Sequence, residues 1–149
     1  MISNIGKSYI LDCRALKFGS IKGIAISKYL KLKENEKIVD AFKYFEKSKI
    51  VLASKEGFVF IVNSIDLFSN KKSGKKIFNV KKNDECATSC LFDDKKDKYL
   101  AVFFKDDINN KLIIFDSKEI PVLQKGSGLI TFKAVSYTHL TLPTTDRGG

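Results

Sequence analysis

A pattern that occurs three times, at a spacing of about fifty residues, limits what this chain can fold into more than any other feature. Gly6-Lys7-Ser8-Tyr9-Ile10-Leu11-Asp12 is followed by Leu16 and a basic, glycine-containing loop ending near Gly23. A shift of 51 residues gives Gly57-Phe58-Val59-Phe60-Ile61-Val62-Asn63, then Leu67 and a loop around Gly74. A further 53 gives Asn110-Lys111-Leu112-Ile113-Ile114-Phe115-Asp116, then Ile120 and Gly126-Ser127-Gly128. A fixed period of this length is the signature of a propeller-like array of small sheets. Each repeat is then a blade whose apolar faces need neighbours, and function is read from what the blades present together.

Val135-Ser136-Tyr137-Thr138-His139-Leu140-Thr141-Leu142-Pro143-Thr144 translates one frame of a transposase sequencing adapter, GTC TCT TAT ACA CAT CTG ACG CTG CCG ACG. Residues 135–149 are therefore read as a non-native tail, and residues 1–134 as a partial domain of two to three blades. The only histidine, His139, and one of the two prolines, Pro143, leave with the tail. Met1-Ile2-Ser3-Asn4 is expected to end a strand whose partner is missing, as in an internal fragment of a longer protein.

Lys+Arg is 27 against Asp+Glu 17, a net charge of +10, and the tail contributes one residue of each sign (Arg147, Asp146). A pI of about 9.5 makes a polyanion the default partner. Arg14 is the only arginine before the tail, and such a lysine bias also arises from an AT-rich genome. No apolar run approaches the ~20 residues that cross a bilayer. Cys13, Cys86 and Cys90 sit in apolar-alternating stretches and are expected to be buried, reduced thiols of a cytosolic protein. Cys86 and Cys90 lack the second pair, or the histidines, that a metal site needs.

Ile50–Ala53 with Gly57–Val62, and Tyr99–Phe104 with Leu112–Phe115, read as two hairpins of well-buried strands. Ile38, Ala41, Phe42 and Phe45 have helical spacing. Their equivalent one period later, Cys86–Phe92, alternates as a strand does, so Ile38–Phe45 is expected to be a strand. Asp12, Asn63 and Asp116 follow the apolar strand in each copy and read as turn-starting side chains. Leu16, Leu67 and Ile120 read as core anchors.

The candidate functional residues lie in the basic loops: Lys17, Lys22 and Gly23, then Lys71-Lys72-Ser73-Gly74-Lys75-Lys76, then Lys125-Gly126-Ser127-Gly128. Repeated at equivalent places, they line one edge of an array, which suits the evenly spaced charge of a nucleic-acid backbone. Glycine permits close approach and lysine supplies a flexible point charge. The acids Asp93, Asp94, Asp97, Asp106 and Asp107 cluster in other turns. Enzyme signatures are absent: no histidine outside the tail, no P-loop and no dinucleotide fingerprint.

Phe58-Val59-Phe60-Ile61-Val62-Asn63-Ser64-Ile65-Asp66-Leu67, running into Asn70-Lys71-Lys72-Ser73-Gly74-Lys75-Lys76-Ile77, resembles blades of the C-terminal domain of bacterial type IIA topoisomerase A subunits. So does Ser117-Lys118-Glu119-Ile120-Pro121-Val122-Leu123-Gln124-Lys125-Gly126-Ser127-Gly128, which is nearer to topoisomerase IV than to gyrase. The likeness covers Gly6–Lys133. It implies an all-β fold, the β-pinwheel, whose basic perimeter binds and bends duplex DNA without base readout. It implies that Lys17, Lys22, Lys71, Lys72, Lys75, Lys76 and Lys125 meet DNA, with no catalytic residue and no cofactor in this chain. The parent enzyme would relax and decatenate DNA in the bacterial cytoplasm, at the nucleoid, with a B subunit, using ATP and magnesium bound elsewhere. Gyrase's glutamine-arginine-arginine-Gly-Gly-Lys-Gly box has only a degenerate echo here, Gln124–Gly128. The alternatives are the gyrase A domain itself and a propeller-type protein scaffold with exposed aromatic patches.

Overall fold

The computed structural model describes residues 1–17, 19 and 21–131; the tail expected from residue 135 lies outside them. Its strands are β1 (Ile2–Ser3), β2 (Lys7–Ser8), β3 (Ile38–Asp40), β4 (Lys49–Ser54), β5 (Phe58–Asn63), β6 (Lys75–Lys76), β7 (Cys86–Phe92), β8 (Tyr99–Lys105), β9 (Asn110–Asp116) and β10 (Leu129–Ile130), with a single α-helical turn among the described residues, α1 (Ser64–Leu67), and 3₁₀ turns at Cys13–Ala15, Ile26–Lys28 and Ser117–Glu119. They form two four-stranded sheets, β3-β1-β2-β6 (blade 1) and β7-β4-β5-β10 (blade 2), and the two-stranded hairpin β8-β9. All the pairings between these strands are antiparallel.

The two blades share one plan. A hairpin makes the middle of each sheet, and a later strand pairs with the hairpin's first strand. The fourth strand comes from the following repeat: β6 leaves the second repeat to complete blade 1, and β10 leaves the third to complete blade 2. This exchange ties neighbouring repeats together by backbone hydrogen bonds as well as by packing.

The continuous apolar runs of β4 and β5 follow from burial on both faces. Ile50, Leu52, Phe60 and Val62 join Ile2, Leu67, Ile77, Phe78 and Cys86 in a core between the blades, where the Phe60 and Phe78 rings meet edge to face at 4.9 Å. Val51, Val59 and Ile61 face the other way, into a second core with Phe92 and Ile120, capped by Leu100 and Phe115 of the β8–β9 hairpin.

Several expectations need correction. Strand β3 stops at Asp40, and no helix replaces the rest of Ile38–Phe45: Asp40 turns its carboxylate to the Ser89 N–H and hydroxyl, at 3.1 and 2.6 Å. Met1–Asn4 does not lack a partner, because β1 lies between β2 and β3. Only Cys86 is buried; Cys13 and Cys90 are exposed. Asp12 and Asp116 accept from the N–H groups of Arg14 and Lys118 as turn starters do, whereas Asn63 makes no such bond. Leu67 and Ile120 are core anchors, and Leu16 is only half-buried. The β8–β9 hairpin is not buried on both faces: Tyr99, Phe103, Leu112 and Ile114 are exposed. In register they match the face of β4–β5 that this same hairpin covers.

Candidate nucleic-acid interface

The basic loop of the second repeat starts at a tight turn, in which the Gly74 N–H donates to the Lys71 carbonyl at 3.0 Å. Gly74 has φ +75, and a Cβ there would stand 2.6 Å from the Tyr9 ring, so only glycine lets this loop lie against blade 1. Gly128 is its counterpart, with φ +82 and a virtual Cβ 2.7 Å from the Val59 carbonyl oxygen. Both close approaches are to the chain's own neighbouring segments, Ser8–Tyr9 and Val59.

From that turn the chain enters β6, which sets Lys75 opposite Ser8 and Lys76 opposite Lys7. The third repeat's loop is held alongside: the Gly126 N–H donates to the Ile77 carbonyl at 3.1 Å, and the Asn79 N–H to the Gly126 carbonyl at 2.8 Å. The structure thus brings Lys71, Lys72, Lys75, Lys76 and Lys125 onto one edge, at the junction of the blades. Lys17 and Lys22 are exposed in the stretch after Leu16, and the bonds joining the second and third loops run through other residues.

Sequence reasoning missed three lysines at this edge. The Lys31 N–H donates to the Lys72 carbonyl at 2.9 Å. The Lys7 ammonium donates to the Ser73 carbonyl at 3.0 Å. Lys33 lies in a turn whose Glu36 carboxylate accepts from the Lys33 N–H at 2.8 Å and from the Tyr9 hydroxyl at 2.7 Å. Neither Lys31 nor Lys33 belongs to the glycine-containing loops, so the repeat pattern carried no signal for them. Lys7 lies in the strand that β6 joins, a long-range pairing for which the sequence carried no signal either.

Lys76 differs from its neighbours. Its ammonium donates to the Ile5 carbonyl, and burial, then Lys33, Lys7 and Lys125, push it below the ordinary lysine range. Lys71, Lys72, Lys75 and Lys125, by contrast, are exposed. The ion pairs lie elsewhere: Lys49–Asp94 at 2.6 Å, Lys55–Glu85 at 2.5 Å, Lys111–Asp106 at 2.7 Å, Arg14–Asp12 at 2.6 Å and Lys96–Asp93 at 3.9 Å. Among the described residues, none of the predicted lysines is paired with a carboxylate in this way, so their charge is available to an external anion. No group of His, Cys, Asp or Glu able to hold a metal ion occurs among the described residues. No helix among them is long and apolar enough to cross a membrane.

No protein-family model matches the chain. The DNA topoisomerase 4 A chain of Caulobacter vibrioides is 30% identical over 129 residues, covering 87% of this chain and 16% of the relative. The chain thus spans about one sixth of the length of the curated relatives it matches. The E. coli ParC C-terminal domain superposes with a TM-score of 0.73 at 21% identity, covering 99% of this chain and 56% of that one. A DNA gyrase A C-terminal domain superposes with a TM-score of 0.66 at 21% identity, covering 86% and 41%. The chain is thus similar over most of its length to topoisomerase IV A subunits, and its fold, with strands exchanged between repeats, is the β-pinwheel of the C-terminal domains on which it superposes.

Proposed function

We propose that this chain is a DNA-binding surface of a topoisomerase IV A-type protein, holding and bending duplex DNA through lysine–phosphate contacts. The single observation that carries this reading is the lysine edge at the blade junction, built from three repeats and free of carboxylate partners. Such an edge follows the phosphate backbone without reading bases, so selectivity comes from DNA shape. The chain's own residues supply no bond chemistry. In the parent enzyme, cleavage, ATP and magnesium belong to other segments and to a B subunit, and the assembly works at the bacterial nucleoid. The relatives favour topoisomerase IV over gyrase.

The test is duplex binding by the full chain across a salt series. Replacing Lys71, Lys72 and Lys75 together with glutamine should flatten the log–log salt slope by about 2.7, at about 0.9 per phosphate contact. An unchanged slope and affinity would remove these residues from the interface. A scaffold role for the exposed Tyr99, Phe103, Leu112 and Ile114 is the rival reading. Their equivalence to the covered face of β4–β5 argues for intramolecular cover, and Phe103→Asp leaving duplex binding intact would separate the two surfaces.

A further inference from the structure

We propose that Lys7, Lys33, Lys76 and Lys125 form a discrete node on blade 1 that takes one phosphodiester group of a duplex, a contact that blade 2 is built without. The inference rests on the DNA-binding reading. Its basis is a comparison of the two blades at equivalent backbone positions.

The Lys7–Lys76 cross-strand pair of blade 1 corresponds to the Phe58–Ile130 pair of blade 2. The turn that carries Lys33 corresponds to the one that carries Lys81. Each turn has an asparagine with positive φ, Asn35 at 63° and Asn83 at 64°. Each is closed by the same hydrogen bond, Glu36 N–H to the Lys33 carbonyl at 3.1 Å and Asp84 N–H to the Lys81 carbonyl at 3.0 Å. In blade 2 the result is self-contained: the Lys81 ammonium sits 4.8 Å from the centre of the Phe58 ring.

In blade 1 the place of that aromatic residue is taken by Lys7, and its strand partner is Lys76. Like charges directly opposite one another destabilise a sheet. The fold does not require them, since blade 2 builds the same strand pair from apolar residues. Lys125 joins the group through the Gly126–Ile77 hydrogen bond. The carboxylate nearest to Lys76 in effect, Glu36, is buried, and its oxygens are engaged by Tyr9 and by the Lys33 N–H. The Lys76 ammonium is pushed below the ordinary lysine range by burial first and then by Lys33, Lys7 and Lys125, with Glu36 acting in the other direction. A chain that tolerates such repulsion at one of two equivalent places gains from an external anion there. The ammonium groups of Lys7 and Lys76 are already oriented by the Ser73 and Ile5 carbonyls, so little order remains to be imposed on binding.

The experiment compares the full chain with its Lys7→Gln/Lys33→Gln, Lys33→Gln, Lys81→Gln and Lys71→Gln/Lys72→Gln/Lys75→Gln variants. The probe is a short mixed-sequence duplex, in about 50 to 200 mM potassium chloride. The Lys7/Lys33 variant should lose about 0.9 from the salt slope, the value for one neutralised phosphate, while its melting temperature holds or rises as repulsion is relieved. Lys81→Gln should leave the slope unchanged. A Lys7/Lys33 variant with the wild-type slope overturns the node even if it melts lower. If the loop variant alone loses slope, the DNA-binding reading stands without the node. If Lys81→Gln costs as much as Lys33→Gln, blade 1 is not distinct and the node falls. If the wild-type chain shows no salt-dependent duplex binding, both readings fall together.

Discussion

Replacing Gly6 by alanine should loosen the strand exchange that joins the second repeat to blade 1. Gly6 has φ +79, and a Cβ there would stand 2.2 Å from the Phe78 carbonyl oxygen and 2.7 Å from the Phe78 Cβ. Its own carbonyl accepts from both the Ile77 and Phe78 N–H groups at 2.9 Å, so the clash falls on the segment that must stay close. The left-handed backbone costs a non-glycine residue about 1–2 kcal/mol. Overpacking against a fixed backbone adds about 1–3 kcal/mol. The total, about 2–5 kcal/mol, is a large part of the roughly 5–15 kcal/mol that holds a typical domain together. Gly19 provides the control: it has the same φ of +79, yet its virtual Cβ meets nothing within 4 Å. Gly19→Ala therefore carries the backbone cost alone, and the change in unfolded-chain entropy cancels between the two variants. The difference of about 1–3 kcal/mol should appear in thermal melts followed by circular dichroism, at about 2–4 °C per kcal/mol for a chain of this size. Equal melting temperatures for the two variants would refute the steric argument and leave the exchange resting on hydrogen bonds alone.

Asp106 at the tip of the β8–β9 hairpin is held at a pKa of about 2, by the Lys111 ammonium first and then by the Asn109 and Ile108 N–H groups. Because its folded pKa lies below the unfolded one, its contribution is complete above the ordinary carboxylate range and is lost as pH falls towards about 2. A carboxyl titration by NMR should find that depressed midpoint, and an ordinary one would dissolve the Lys111 pairing. The buried Cys86 thiol is pushed up to about 12 by desolvation, while Cys13 and Cys90 are exposed. A thiol reagent near neutral pH should therefore modify Cys13 and Cys90 in the folded chain, and Cys86 only after denaturant is added. Mass spectrometry showing Cys86 labelled early would place it outside the core.

The sequence made the hairpins legible because their signal is local. Ile50–Ala53 and Gly57–Val62 are apolar runs a few residues long, and Gly57 closes the turn before the return strand. The basic loops were legible for the same reason, since glycine and lysine side by side mark both a turn and a charge. What escaped was long-range. Lys7 and Lys76 are far apart in sequence and directly opposite in space, and no period announces that pairing. The exposed face of β8–β9 was equally hidden, because apolar alternation reads the same whether or not a neighbour covers it.

The sequence alone determined the repeat, the strands of each hairpin, the sign of the charge and the family likeness, all of which reside in short runs and their spacing. Tertiary structure decided which repeat completes which sheet, that Cys13 and Cys90 face solvent while Cys86 does not, and which lysines share an edge. The physical reason is that strand exchange is made by backbone hydrogen bonds, which almost any residue type can form. Composition does not encode them, and only the folded chain brings β6 to β2 and β10 to β5.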